Sequence, residues 1–357
     1  MEKSMRGGLA CGVGSGALWG LVFLAPAIVP DFTTIELSAG RYLCYGVVSL
    51  LAMLLSGRTS ALALLRKTRP EHWWLATRLA LIGNLVYYVL LSAAVQNVGV
   101  AAASLIIGTL PVTITLLGAR GRDIAAPGDS HGLQDAGPGL HGPRLRDLAP
   151  ALLLILVGIA CINADVFSGH AAATSEGSSG DWHEAVLGIS AAVGALAAWT
   201  WYAVGNARGL DAHPTFTNAE WAGLQGLVSG VMALMIWAVL AVLLYLPLPY
   251  GNVLGIHHAP FDRQIVFWSV NIALAVGASW MGNTLWNAAA RRLPLTLSGQ
   301  MIVFETLFAL LYGFIHAQRL PRLLEIAAIV LLVIGVMWSV RLHAPGQRQS
   351  PTPTQAD

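Results

Sequence analysis

The sequence predicts an all-α polytopic membrane protein with ten transmembrane helices, arranged as two inverted five-helix repeats with both termini cytoplasmic. Three observations predict it. The 357 residues are 56% hydrophobic and only 11% charged, too little polar surface to cover a water-soluble chain of this size. Ten apolar runs approach or reach the roughly 20 residues needed to cross about 30 Å of hydrocarbon. Finally, residues 30–46, PDFTTIELSAGRYLCYG, recur in outline at 214–230 as PTFTNAEWAGLQGLVSG. Five identities at fixed offsets (Pro30/Pro214, Phe32/Phe216, Thr33/Thr217, Glu36/Glu220 and Gly46/Gly230) point to an internal duplication.

The first span, 8–28, follows the basic start MEKSMR and contains Trp19. The APA at 25–27 resembles a cleavage site, but nine further spans favour an uncleaved anchor. The second span, 34–56, opens on the repeated motif, and the third, 73–95, is joined to the fourth, 99–118, at Gln96 to Gly99. The fifth, 148–165, carries ALLLILVGIA. The sixth, 183–205, carries WTWYAV, which aligns with WGLVFL of the first at a spacing of 180. The seventh, 218–246, opens on the second copy of the motif. The eighth, 264–289, meets the ninth, 295–315, at RRLP, a crowded join at the same place in its half as the one at 96–99. The fourth and ninth align at about 194, with Ser104 over Ser298, and the tenth, 322–340, aligns with the fifth at 177.

Residues 1–165 are thus the first repeat and 183–341 the second. A cytoplasmic insertion at 120–147 and an outer loop at 166–182 are rich in Gly, Pro, Ser and Asp, and 342–357 is a disordered cytoplasmic tail. With the N-terminus inside, all but four of the 20 basic residues fall on the cytoplasmic side; Arg263, Arg319 and Arg322 lie outside and Arg41 within a span. An odd number of spans per repeat sends the second copy into the membrane upside down, the arrangement with which secondary transporters build two access states around one midplane site.

The net charge of +2 gives no reason to expect a nucleic-acid partner. Cys11, Cys44 and Cys161 lie in apolar stretches without C-x-x-C or Cys/His spacing, so neither a metal nor a disulfide is implied, and no cofactor is expected. HEAVL at His183 has Leu187 where H-E-x-x-H needs its second histidine, and no P-loop or G-x-S-x-G occurs. No catalytic residue is assigned, and the chain does not read as an enzyme.

Ten spans as inverted fives, LWG in the first, AGRYL in the second, AAASLIIGTLPV in the fourth and AARRLPLTLSGQ entering the ninth resemble the EamA branch of the drug/metabolite transporter superfamily. The resemblance implies a permease of the bacterial inner membrane that exports amino acids or other metabolites, with antiporters of nucleotide sugars and triose phosphates as relatives. Members of the family often carry Glu-Pro in the middle of the ninth helix; here Glu305 is followed by Thr306, while Pro111 keeps the corresponding break in the fourth. Where others carry a Glu at the end of the ninth helix, this chain has HAQRL.

Glu305 falls near the centre of its span, where an ionised side chain costs roughly 2.5–3.5 kcal/mol on insertion scales. It can face a substrate ammonium, exchange a proton during the cycle, or sit neutral and hydrogen-bonded between helices. Arg41, one to two turns into the second span, can clamp a substrate carboxylate or snorkel to headgroups. Glu36 reads as an interfacial residue. Trp19, Tyr87, Tyr88, Trp199, Tyr202, Trp280 and Trp286 come from the first and third helices of both halves and would line a cavity suited to an aromatic or amphipathic metabolite. The amides Asn84, Asn283 and Gln300 need buried partners or a wet cavity. Pro111, Gly108 and Thr306 are candidate points of helix break or gating. The expected partners are a small-molecule substrate, membrane lipid and, as candidate coupling ion, a proton; monomer and homodimer both remain open. An antiporter of phosphorylated solutes should carry several basic residues at midplane, an intramembrane enzyme should carry paired carboxylates or a nucleophile with its base, and a receptor has no need of inverted halves.

Overall fold

A computed structural model describes residues 2–55, 64–111, 113, 149–154, 156–158, 160, 182–245, 259–293, 297 and 301–343. The described elements are helical: α1 (Glu2–Ile28), α2 (Thr34–Leu55), α3 (Pro70–Leu79), the π-helical segment π1 (Ala80–Val86), α4 (Tyr87–Ile107), α5 (Trp182–Ala212), α6 (Asn218–Tyr245), α7 (Phe261–Leu274), the π-helical segment π2 (Ala275–Gly282), α8 (Asn283–Ala290), α9 (Val303–His316) and α10 (Leu323–His343). Six stretches are long and apolar enough to cross a membrane by length and composition: Met5–Ile28, Thr34–Leu55, Pro70–Ile107, His183–Ala212, Asn218–Leu243 and Phe261–Ala290. Ala149–Gly158, Val303–His316 and Leu323–Gly335 are shorter apolar helices. The predicted third span and the first half of the fourth fall within the single stretch Pro70–Ile107, where the non-helical residue is Gly99, whose φ of 80° turns the chain in a region other residues avoid. The predicted insertion at 120–147, nearly all of the loop at 166–182, most of the tail, Cys161, Ser298 and Gln300 lie outside the described residues.

The repeated T-x-x-E is a pair of helix starts. At α2 the Glu36 carboxylate accepts from the Thr33 backbone N–H at 2.8 Å, while the Thr33 hydroxyl accepts from the Glu36 N–H at 3.2 Å. At α6 the same exchange joins Thr217 and Glu220, at 2.7 and 3.2 Å. These capping boxes satisfy backbone donors that helix ends otherwise leave open. Glu36, expected as an interfacial residue, serves as a cap at the start of α2 and is 6% exposed. The phenylalanine before each box packs on a distant helix: Phe32 stacks on Phe267 of α7 at 4.2 Å between ring centroids, and Phe216 meets His72 of α3 at 5.0 Å.

The repeated glycine marks a crossing. α2 and α6 form one of the most extensive helix contacts, and a Cβ built on Gly46 would lie 2.5 Å from the Gly230 Cα, with 2.6 Å in the reciprocal sense. No other residue allows backbones this close, and close approach replaces the hydrophobic drive that lipid removes from helix association. Glycines recur every fourth residue along α1: Gly16 and Gly20 let it close on α9, where a Cβ on Gly16 would sit 2.9 Å from the Glu305 backbone nitrogen and one on Gly20 2.8 Å from that of Ala309, while Gly8 and Gly12 face the side chains of Leu293 and Met301. The remaining extensive contact pairs α4 with α5.

π1 and π2 interrupt the third and eighth predicted spans at positions 195 residues apart, counted from Ala80 and Ala275. A wider turn frees carbonyls from the regular ladder, and side chains take them up. Ser38 donates to the Leu85 carbonyl of π1 at 3.1 Å, and Ser15 and Trp19 donate to the Gly282 and Ala278 carbonyls of π2 at 3.0 and 2.9 Å.

Candidate functional site

α1, α2, π1, α4, α5, α8 and α9 converge on one pocket lined by Trp19, Val22, Arg41, Tyr42, Gly83, Asn84, Tyr87, Trp199, Tyr202, Asn283 and Glu305. The space among the lining atoms, counting the part that opens to the mouth, is about 350 Å³, and the side chains close tightly around most of it.

Glu305 owes its position to a break in the ninth predicted span. The backbone turns at Ile302, and α9 begins at Val303, which sets Glu305 in the first turn of a helix. The Glu305 backbone N–H donates to the Ile302 carbonyl at 2.9 Å. The break thus comes one turn before Thr306, and α9 forms without the proline expected at that place. Its counterpart is the turn at Gly108 and Thr109, which ends α4. The two breaks abut: Thr306 Oγ1 donates to the Ser104 carbonyl at 3.4 Å, and a Cβ on Gly108 would lie 3.0 Å from Thr306 Oγ1. Pro111 is buried just beyond the turn.

Arg41 faces the same space from α2 and is 5% exposed, so its guanidinium does not snorkel to the membrane surface. Its Nε donates to Ser279 Oγ at 3.1 Å, and its Cζ lies 4.5 Å from the Tyr88 ring centroid and 5.2 Å from that of Tyr42. Among the described residues no ion pair joins Arg41 and Glu305. Arg41 Nη1 and Glu305 Oε2 are both buried without a hydrogen-bond partner. A buried polar atom without a partner is costly, more so when its group carries a charge.

The aromatic wall is a cluster of three tryptophans. Trp19 and Trp199, the pair aligned at a spacing of 180, touch at 5.3 Å between ring centroids, and Trp286 lies 5.2 Å from Trp19 and 5.6 Å from Trp199. Tyr202 and Tyr87 extend the cluster from Trp199 at 5.7 and 6.5 Å. Tyr202 packs directly on Gly83 of π1, where an added Cβ would fall 2.1 Å from its ring. Asn84 donates to Ser229 at 2.9 Å, and Asn283 reaches the Tyr45 hydroxyl at 3.4 Å, so both amides lie on the lining with partners.

Eight of the residues singled out in the sequence therefore meet at one place: Glu305, Arg41, Trp19, Asn84, Tyr87, Trp199, Tyr202 and Asn283. Tyr88 and Trp286 stand behind the lining, one under Arg41 and the other under the tryptophans, and Trp280 packs at the edge of the core. Val22, Tyr42 and Gly83 complete the pocket and carry no chemical cue that sequence reading could use. Ser279 was likewise silent, being one serine within an apolar run. The described residues contain no group of three or more His, Cys, Asp or Glu placed to hold a metal.

The chain is 36% identical over 329 residues to the inner membrane protein YtfF of Escherichia coli strain K12, covering 92% of both chains. A solved crystal structure at 18% identity superposes with a TM-score of 0.61 over 94% of this chain and 98% of its own, which shows a common fold. Residues 6–119 match the EamA-like transporter family. With the apolar helices described above, these relationships indicate a multi-pass inner-membrane protein that transports rather than catalyses. The chain belongs to the EamA-like transporter family of the drug/metabolite transporter superfamily.

Proposed function

We propose that this transporter is a secondary exporter of amino acids, aromatic and other large apolar ones foremost. The substrate ammonium faces Glu305, its carboxylate faces Arg41, and its side chain lies against Trp19, Trp199 and Tyr202. One observation carries this reading: an acid and a base line a single aromatic pocket, are not paired with each other, and each keeps a buried polar atom without a partner. A phosphorylated solute would call for several cations, whereas Arg41 is the one cation among the lining residues.

Access alternates by rocking of two inverted five-helix repeats, 1–165 and 183–341, with both termini cytoplasmic. The repeat reading is supported by features that recur at matching offsets: capping boxes, crossing glycines, π segments and helix breaks. Two ion pairs fit the same scheme. Arg263 at the start of α7 binds Asp31 before α2, and Lys67 before α3 binds Glu220 of α6 at 2.7 Å. Each ties the entrance of one half's third span to the second helix of the other half. With the N-terminus inside, they stand on opposite sides of the membrane, and release of one at a time opens the pocket to one side at a time.

The test is counterflow. Proteoliposomes loaded with a mixture of unlabelled amino acids are given each labelled amino acid outside at trace level. Aromatic amino acids are expected to accumulate transiently above the protein-free control. Failure of every amino acid to accumulate would remove this substrate class.

A further inference from the structure

Arg41 can bind a carboxylate only if its terminal nitrogens face the pocket, and a guanidinium on a flexible stem does not hold that pose unaided. Its rotamer is fixed here from three directions. The Tyr88 and Tyr42 rings lie within cation–π distance, and Ser279, 1% exposed, accepts the Nε–H. Nε lies at the inner edge of the guanidinium, so occupying it leaves the outer edge free, and Nη1 is the buried nitrogen without a partner. Ser279 does not line the pocket; it reaches Arg41 from π2.

We infer that Ser279 is a positioning residue for selectivity: by holding Arg41 Nε it presents the outer guanidinium edge to the substrate and sets the preference for a carboxylate over a neutral group at that position. This rests on the reading of Arg41 as the carboxylate partner given above. A hydroxyl at this point does more than a methyl of similar size, because its loss frees the guanidinium to turn Nε inward and withdraw its paired edge.

The experiment measures the half-saturation concentrations of phenylalanine and phenylalaninamide in proteoliposome counterflow for wild type, Ser279→Ala and Ser279→Thr. The ratio of the two constants is independent of how much protein folds. Wild type is expected to prefer the acid strongly. Ser279→Ala is expected to cut that preference about tenfold through the acid's constant alone, and Ser279→Thr, which keeps the hydroxyl, to restore it. A wild type that carries no phenylalanine, or does not distinguish it from the amide, would overturn the parent reading of Arg41 and this inference with it. A wild-type preference that survives Ser279→Ala would overturn the role of Ser279 alone. Equal weakening of both substrates in the alanine variant would also overturn it, since that result marks Ser279 as packing.

Discussion

Replacing Glu305 by Gln is expected to abolish export of ammonium-bearing substrates while leaving the folded protein intact. The substitution keeps the shape and one oxygen of a side chain that is 2% exposed, and removes its charge. In the substrate-free protein that charge has little to lose: Oε2 has no hydrogen-bond partner, and Arg41 does not pair with it. Stability should therefore hold, or rise by up to about 2 kcal/mol as the cost of a midplane carboxylate is relieved. In the loaded protein the loss falls on a buried charge pair, and removing one member leaves the substrate ammonium uncompensated. We expect the half-saturation concentration to rise by about 100-fold or more, with the thermal transition in detergent at or above that of wild type. Transport at the wild-type level by this variant would assign Glu305 to packing.

The second large effect is on folding. Gly46→Ala places a methyl 2.5 Å from the Gly230 Cα, where the opposing group is backbone and cannot rotate away. α2 and α6 must separate along their length, and the pocket residues Arg41 and Tyr42 ride on α2. A destabilisation of about 2 kcal/mol or more is expected, read as a lower transition temperature. Gly223→Ala is the matched control: it lies on the same α6, nothing stands within 4 Å of its added Cβ, and alanine is the better helix former. Equal tolerance of the two substitutions would mean that the helices do not cross at Gly46.

These effects separate what residues announce from what only backbone geometry reveals. Glu305 and Arg41 were legible because a charge inside an apolar run needs a reason, and Trp19 and Trp199 because they recur at one offset. Their meeting at one pocket required α1, α2, α5 and α9 to converge. The T-x-x-E of Thr33 and Glu36 was visible as a repeat, and its local meaning as a capping box lay in the same four letters. The glycines at 8, 12, 16 and 20 were present at four-residue spacing, but a glycine-rich first span does not say which helix comes close. π1 and π2 were not legible, since a π turn differs from an α turn by one residue in the ladder and leaves no composition mark. The turn at Ile302 leaves no mark for a related reason: neither Gly nor Pro occupies it, and the proline position of the resemblance falls one turn later, at Thr306. Gln300 lies outside the described residues, so its place in the site stays a sequence expectation.

In the proposed mechanism one pocket reads two charges of one substrate. The most direct measurement is competition against labelled phenylalanine counterflow by wild-type protein, with phenylalanine, N-acetylphenylalanine and phenylalaninamide as unlabelled competitors. The first carries both charged groups, the second lacks the ammonium that faces Glu305, and the third lacks the carboxylate that faces Arg41. Phenylalanine is expected to compete, and each of the other two to compete at least about 100-fold more weakly. Equal competition by all three would contradict this mechanism, leaving the tryptophans to bind the ring and the two charges without a part in recognition.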